Sequence, residues 1–162
     1  MRLENSKFRK ASALGSAAFA LFCLCAFALP AHAARDKIIK VLPQYLDLQG
    51  RHTITPSLYD RDAYQARLRR NPKERSGLRF MVNWKAGSNG ELKMRVEMRG
   101  SKEEKIGTTA LQANVRHIGG FSKWTELALK GEPYQNFGEL MAWRVTLWDG
   151  EKLIAEEKSF LW

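Results

Sequence analysis

The chain has 162 residues, of which 44% are hydrophobic and 27% are charged, and this balance excludes a disordered or a fibrous protein. Its 27 Lys and Arg outnumber its 17 Asp and Glu, so the formal net charge is +10 at pH 7. A charge of this sign favours acidic surfaces, phosphates or anionic lipids as partners. The length predicts one compact domain.

The amino terminus has the pattern of an export signal. Four bases within the first ten residues precede an apolar run at residues 11–29, which is followed by Pro30 and an Ala-His-Ala sequence at residues 31–33. These are the basic region, the apolar region and the small-residue cleavage site of a signal peptide. We predict a signal peptide at residues 1–33 and an exported domain at residues 34–162, in the periplasm, at the cell surface or secreted. A single uncleaved membrane anchor is the alternative, because an apolar run of 19 residues can cross about 30 Å of hydrocarbon.

Both cysteines, Cys23 and Cys25, lie inside the apolar run, and neither is preceded by the small residue that a lipoprotein signal requires. Cleavage would leave a cysteine-free domain with 23 bases and 16 acids, a formal charge of +7. Its core alone must then hold the domain together, since disulfides and cysteine-based zinc sites are excluded. An exported chain without a cysteine framework favours a bacterial source.

The predicted domain contains segments that alternate apolar and polar side chains, which is the period of half-buried strands. We predict strands at residues 38–48, 78–85, 92–99, 106–115, 124–130, 140–148 and 152–162. Pro43 favours an edge position or a bulge for the first strand. The inward rows are predicted to contain Leu78, Phe80, Val82 and Trp84 in the second strand, Leu92, Met94, Val96 and Met98 in the third, and Leu111, Ala113 and Val115 in the fourth.

Turn residues predict how neighbouring strands pair. An Ala-Gly-Ser-Asn-Gly sequence at residues 86–90 favours a hairpin whose register opposes Lys85 with Glu91, Arg79 with Glu97 and Phe80 with Val96, so that opposite charges face each other. Asp149-Gly150 predicts a second hairpin between the last two strands. A loop slightly longer than two residues would oppose Leu147 with Leu153 and Arg144 with Glu156.

One helix is predicted at residues 57–70. Ser57 is a suitable N-cap, and Asp60 and Asp62 in the first turn favour the positive end of the helix dipole. Basic side chains in the last turn favour its negative end, and Asn71-Pro72 ends the helix. These bases are Arg67, Arg69 and Arg70.

About seven short strands and one short helix predict an all-β fold, an antiparallel immunoglobulin-like β-sandwich. On this pattern the chain resembles small exported bacterial domains with an immunoglobulin-like or fibronectin-like sandwich, over most of its predicted mature length. It lacks the Cys…Trp…Cys core of true immunoglobulin domains. The resemblance therefore implies a fold and assigns no functional residue.

The strongest candidate site is a basic stretch that we name the Arg-rich segment, residues 61–79. Guanidinium groups bind phosphate, sulfate or carboxylate bidentately, and the helix and its following loop are expected to present them outside the sheet. A solvated, partly paired surface is the alternative. The bases are Arg61, Arg67, Arg69, Arg70, Lys73, Arg75 and Arg79, set against Asp62 and Glu74.

The tryptophans are the second candidate, because exposed indoles can stack on sugars. Trp84 and Trp143 fall on inward phases and are assigned to the core. Trp148 is expected to be the most exposed tryptophan, followed by Trp124, although packing roles are the alternative for both.

No catalytic, metal or nucleotide motif is found. His52 and His117 stand far apart, as polar residues expected in loops or at strand ends, and the adjacent carboxylates Glu103-Glu104 and Glu156-Glu157 point to opposite faces of a strand. We expect no enzyme, no cofactor and no metal, and the absence of an RNA-binding aromatic pattern argues against nucleic acid.

The sequence therefore favours a non-enzymatic interaction module that contacts an anionic polymer, a lipid or an envelope protein through the Arg-rich segment. The alternative is an accessory envelope subunit that pairs with its partner through strand edges.

Overall fold

The structure is a computed structural model that describes residues 36–162. Its elements in chain order are β1 (Lys37–Asp47), α1 (Leu58–Arg70), a 3-10 helix (Pro72–Glu74), β2 (Arg75–Lys85), β3 (Gly90–Lys102), β4 (Lys105–His117), β5 (Lys123–Lys130), α2 (Gly131–Phe137), β6 (Glu139–Asp149) and β7 (Lys152–Lys158). The seven predicted strands are confirmed. The predicted signal peptide, and the anchor that is its alternative, lie outside the described residues.

The strands form two antiparallel sheets, one in the order β1-β2-β5 and the other in the order β4-β3-β6-β7. Each sheet turns one row of apolar side chains toward a shared core, which makes the fold all-β and sandwich-like. Phe80 of the first sheet meets Trp143 of the second edge to face, with ring centroids 6.4 Å apart. The inward rows predicted for β2 and β3 are confirmed, since every member is at most 3% exposed.

β4 also follows its predicted phase. Val115 is buried, and Leu111 and Ala113 are partly buried against the core. Pro43 lies in β1, which is an edge strand of its sheet as predicted. The pairing of β1 with β2 shifts twice, near each end of the strand, and is regular at Pro43 itself, so no bulge lies at this proline.

The hairpin predicted between the second and third strands is wrong. β2 pairs with β1 and β5, whereas β3 pairs with β4 and β6, so residues 86–89 carry the chain from one sheet to the other. None of the three predicted cross-strand pairs therefore forms, namely Arg79 with Glu97, Phe80 with Val96 and Lys85 with Glu91. Alternation identifies which row of a strand is buried, but it does not identify the strand that pairs with it. Every strand of both sheets buries one row, so the pattern is the same whichever strand lies beside it.

The hairpin predicted between the last two strands exists, but its register is wrong. Asp149 pairs with Lys152, and a bulge then places Leu147 opposite Ala155 and Arg144 opposite Lys158. The last strand also ends at Lys158, four residues before the predicted end at residue 162.

Helix α1 is confirmed, with Ser57 as its N-cap. Gln65 fastens it to β1, since its amide oxygen accepts from Tyr45 N at 2.8 Å and its amide nitrogen donates to Tyr45 O at 2.9 Å. The second helix, α2, was not predicted. It is one of the shortest elements, and it buries Tyr134 and Phe137, whose spacing of three is too brief a signal to identify a helix.

His117 is the last residue of β4, a strand end as expected, and it is 0% exposed. Its Nδ1 lies 3.1 Å from Ser88 O and its Nε2 lies 3.2 Å from Phe121 O. The ring also packs against Trp84, with centroids 5.5 Å apart. His117 thus joins the loop after β2 to the loop after β4.

Candidate functional site

The structure disperses the Arg-rich segment over several environments. Arg69, Arg70 and Lys73 are exposed. Arg67 is exposed as well, and its Nη2 lies 2.9 Å from Glu74 Oε2. Arg61 is half-buried and contacts Asp62 at 3.4 Å. The bases share a stretch of sequence, but they do not converge on one site.

For Arg75 the expected exposed position is wrong. Its side chain is 2% exposed, and its guanidinium donates to Leu68 O, to Arg69 O and to the carboxylate of Glu139. It also lies 4.0 Å from the ring centroid of Tyr45. Arg75 therefore fastens the end of α1 to the sheets, and its donors are already in use.

Arg79 is also engaged with protein partners. Its Nε and Nη2 donate to Gln44 Oε1 at 3.0 and 2.9 Å, and its Nη1 donates to Glu126 Oε2 at 2.9 Å. Burial lowers the pKa of Arg79 from its ordinary value, with Glu126 opposing this effect. Arg61 and Arg69 are the bases that line a concavity of about 290 Å³ between α1 and β1, together with Asp62 and Gln65 of the same segment.

A second basic surface lies on the outer side of the four-stranded sheet, and we name it the cationic face. The cations of β3 that point outward are Lys93, Arg95 and Arg99, all exposed. Arg144 of β6 stands opposite Glu97 in the adjoining register. The members of the cationic face are Lys93, Arg95, Glu97, Arg99, Arg144, Trp148 and Trp162.

Contacts among these side chains hold the middle of the cationic face in place. Glu97 accepts from Arg144 Nε at 2.8 Å and lies 3.1 Å from Arg95 Nη2. The guanidinium carbons of Arg99 and Arg144 lie 4.3 and 5.0 Å from the ring centroid of Trp162. Arg95 and Arg144 therefore share one carboxylate, and ring contacts that are worth about 0.5–1 kcal/mol each at exposed sites orient Arg99 and Arg144.

Two concavities adjoin on this face. One, of about 470 Å³, is lined by Arg95, Arg99, Arg144 and Trp162 together with neutral Thr108, Thr109 and Ala110 of β4. The other, of about 300 Å³, is lined by Lys93, Arg95, Gln112, Trp148, Gly150 and one acidic residue, Glu151. Both are lined by Arg95, so they lie side by side along the outward row of β3, over about 20 Å from residue 93 to residue 99 at the rise of an antiparallel strand. We name this row of two concavities the groove.

The exposure of the tryptophans differs from the expected order. Trp124 is 49% exposed, whereas Trp148 is half-buried and donates from Nε1 to Thr146 Oγ1 at 2.9 Å. Trp84 is buried and Trp143 is half-buried in the core, as assigned. Trp148 nevertheless lies beside Lys93 in the register of β3 and β6, so it marks one end of the groove and Trp162 the other.

Within residues 36–162, His, Cys, Asp and Glu side chains form no group that could hold a metal ion. No helix in this described part of the chain has the length and hydropathy to span a membrane. Comparison of the chain with family models, with curated proteins and with solved structures found no match.

The cationic face was not predicted, although part of its signal is present in the sequence. The alternation of β3 already placed Lys93, Arg95 and Arg99 on one outward row. The contacts with Arg144 and Trp162 carried no such signal, because they join residues that are between 18 and 63 positions apart in the chain.

Proposed function

We propose that the protein is an exported, non-enzymatic module that binds an acidic polysaccharide along the cationic face. The observation that carries this proposal is the groove of two adjoining concavities that share Arg95, with guanidinium groups oriented against Trp162 at one end. Guanidinium forks suit the carboxylate or sulfate groups of such a chain. The indoles at the two ends and the neutral Thr and Gln side chains of β4 suit the apolar faces and the hydroxyl groups of sugar rings.

The absence of catalysis is part of this proposal. Two carboxylates line the groove: Glu97, which Arg95 and Arg144 both engage, and Glu151, in the turn between β6 and β7. A general base needs a carboxylate that can reach and accept a substrate proton. Glu97 is better suited to orient the two arginines than to act on a ligand.

The exported location and the immunoglobulin-like class also belong to the proposal. The basic, apolar and small-residue regions of residues 1–33 support export. The two-sheet topology supports the fibronectin-like form of the sandwich. In a constant-type immunoglobulin domain the fourth strand joins the sheet of the first, second and fifth strands, whereas β4 here joins the sheet of β3.

Two variants with the same loss of charge test the location of the site. Lys93→Gln, Arg95→Gln and Arg99→Gln together remove two arginines and one lysine from the cationic face. Arg69→Gln, Arg70→Gln and Lys73→Gln remove the same set from the Arg-rich segment. All six positions are exposed, so both variants are expected to keep the melting temperature of the parent protein.

The measurement is a titration with labelled polygalacturonate at several salt concentrations, with neutral dextran as a reference. We expect the first variant to lose about tenfold or more in affinity and the second to change by less than about threefold. Equal losses in the two variants would show that binding follows net charge and would refute the cationic face as the site. A larger loss of affinity in the second variant would show that the Arg-rich segment is the binding site.

A further inference from the structure

Strand β4 leaves one long edge of the four-stranded sheet unpaired in the described part of the chain. It pairs with β3 alone, through thirteen consecutive residue pairs without a bulge. Between residues 106 and 115 no backbone group makes a hydrogen bond other than those of the ladder with β3, among the residues that the structure describes. From residue 106 to residue 114 every side chain is exposed or half-buried.

This edge lacks the features with which sheet edges are usually protected. Charged side chains, proline and bulges discourage pairing with another chain, and the sequence Ile-Gly-Thr-Thr-Ala-Leu-Gln-Ala-Asn-Val at residues 106–115 has no charge and no proline. The other three edge strands have features that discourage pairing with another chain. β1 contains Pro43 and two register shifts, β7 contains a bulge and three charges in a row, and β5 has only eight residues and includes Glu126.

The inner row of β4 indicates what a partner strand would cover. Thr109, Leu111 and Ala113 are half-buried, with Leu111 and Ala113 packed against the core. A strand added to this edge would lie about 4.8 Å from β4. Its alternate side chains would then pack beside the inner row of β4, on the side away from β3. Apolar residues at those alternate positions would extend the core.

The outer row of β4 indicates the charge of the partner. Thr108 and Gln112 lie directly beside Arg99 and Arg95 of β3. A strand added to β4 would lie about 10 Å from β3, with small neutral side chains between, and this distance is within the reach of two long side chains that extend toward each other. Acidic residues at the outward positions of the partner would therefore meet the cationic face.

We infer that the β4 edge binds an extended peptide segment of a partner protein by strand addition, and that this segment alternates apolar and acidic residues. The backbone groups of residues 106–115 supply the hydrogen bonds, the inner row supplies the apolar contacts, and Arg95 and Arg99 select for acid. Polysaccharide binding is not required for this contact, since strand addition depends on backbone groups that a sugar chain does not have.

The probe is a labelled seven-residue peptide of alternating valine and glutamate, titrated into the purified protein by fluorescence anisotropy. Two further versions carry N-methyl groups, one on all its valines and the other on all its glutamates. Successive N–H groups of a strand point to opposite sides, so one version blocks the bonding edge and the other leaves it free. We expect one version to lose about tenfold or more in affinity and the other less than about threefold.

A peptide with lysine in place of glutamate is expected to bind about tenfold or more weakly. On the protein side, Ala110→Glu places an acid on the edge, and Ala63→Glu adds the same charge to an exposed position of α1. We expect the first substitution to weaken peptide binding about tenfold and the second to leave it unchanged, with equal melting temperatures.

Three outcomes would overturn the inference. Equal binding of the two N-methylated peptides would mean that charge alone attracts them, and equal binding of the glutamate and lysine peptides would remove the acidic partner. The third is a protein that does not bind the peptide but sediments as a dimer that Ala110→Glu dissociates, because the occupant of the edge would then be a second copy of the chain. Since the N-methyl effect concerns backbone pairing alone, failure here would leave the polygalacturonate result unaffected.

Discussion

Tyr64 of α1 donates a hydrogen bond from Oη to Oδ2 of Asp47 at 2.6 Å, and this contact joins the helix to the end of β1. Asp47 is 4% exposed and also accepts from Gln49 N, Arg51 N and Arg51 Nε. Burial alone would raise the pKa of this carboxyl. The hydrogen bonds from Tyr64, Arg51 and Gln49 outweigh burial and lower the pKa to about 2.

The first prediction concerns the stability of the fold in acid. The pKa of Asp47 is lower in the folded protein than its ordinary value of 3.8, so its stabilising effect is complete above about pH 4 and is lost as the pH falls toward 2. We expect Asp47→Asn to reduce the free energy of unfolding by about 1–2 kcal/mol at pH 7. The difference between the two proteins should shrink between pH 4 and pH 2, as measured by urea unfolding at each pH. A difference that stays constant over this range would contradict the assignment.

The second prediction compares the buried arginine of the Arg-rich segment, Arg75, with an exposed one, Arg70, in their effect on stability. Arg75→Met removes the donors to two main-chain carbonyl groups at the end of α1 and to Glu139. We expect it to lower the free energy of unfolding by about 2–3 kcal/mol. Arg70→Met, at an exposed position of the same helix, is the control and should stay within about 0.5 kcal/mol of the parent. Equal effects in chemical unfolding would show that the buried contacts of Arg75 are dispensable.

These contacts show where sequence reasoning succeeds and where it stops. Alternation located the strands and their buried rows, because one row of each strand must leave water whichever strand lies beside it. It could not choose between a hairpin and a crossing to the other sheet at residues 86–89. The predicted pair of Arg79 with Glu97 would have joined opposite charges. In the structure Arg79 instead forms an ion pair with Glu126, and Glu97 forms one with Arg144.

The candidate site failed to emerge from the sequence for a related reason. Bases close together in sequence need not lie together on a helix of 3.6 residues per turn, where Arg67 and Arg70 share one side while Arg69 lies on another. Bases on two paired strands do lie on one surface of the sheet, but predicting that surface requires knowing which strands pair. Arg99 of β3 and Arg144 of β6 converge on Trp162 only because β3 and β6 pair.

The third prediction tests the tight approach between α2 and β3. Gly138 has a φ of +79°, and a Cβ at this position would overlap the carbonyl group of Ser101. We expect Gly138→Ala to cost about 3 kcal/mol or more, from backbone strain together with overpacking. Gly107→Ala on β4, where a Cβ meets open space, should be neutral or stabilise by up to about 1 kcal/mol. Thermal unfolding of the two alanine variants checks the contrast, and similar melting temperatures would refute it.

The last prediction distinguishes orientation from charge on the cationic face. Trp162→Leu leaves every cation in place but removes the ring against which Arg99 and Arg144 rest. If the ring orients these guanidinium groups for a ligand, the affinity for polygalacturonate should fall about three- to tenfold. The dependence of binding on salt should stay unchanged, because no charge is lost.

Trp124→Leu is the matched control for this experiment, since Trp124 is 49% exposed and lies in β5, in the other sheet. It should leave both the affinity and the salt dependence as they are. If Trp162→Leu has no effect while the triple glutamine variant of the cationic face does, the arginines bind by charge alone and the indole only covers the sheet. If Trp124→Leu has the larger effect, the polymer stacks on the three-stranded sheet, and the cationic face is not the site.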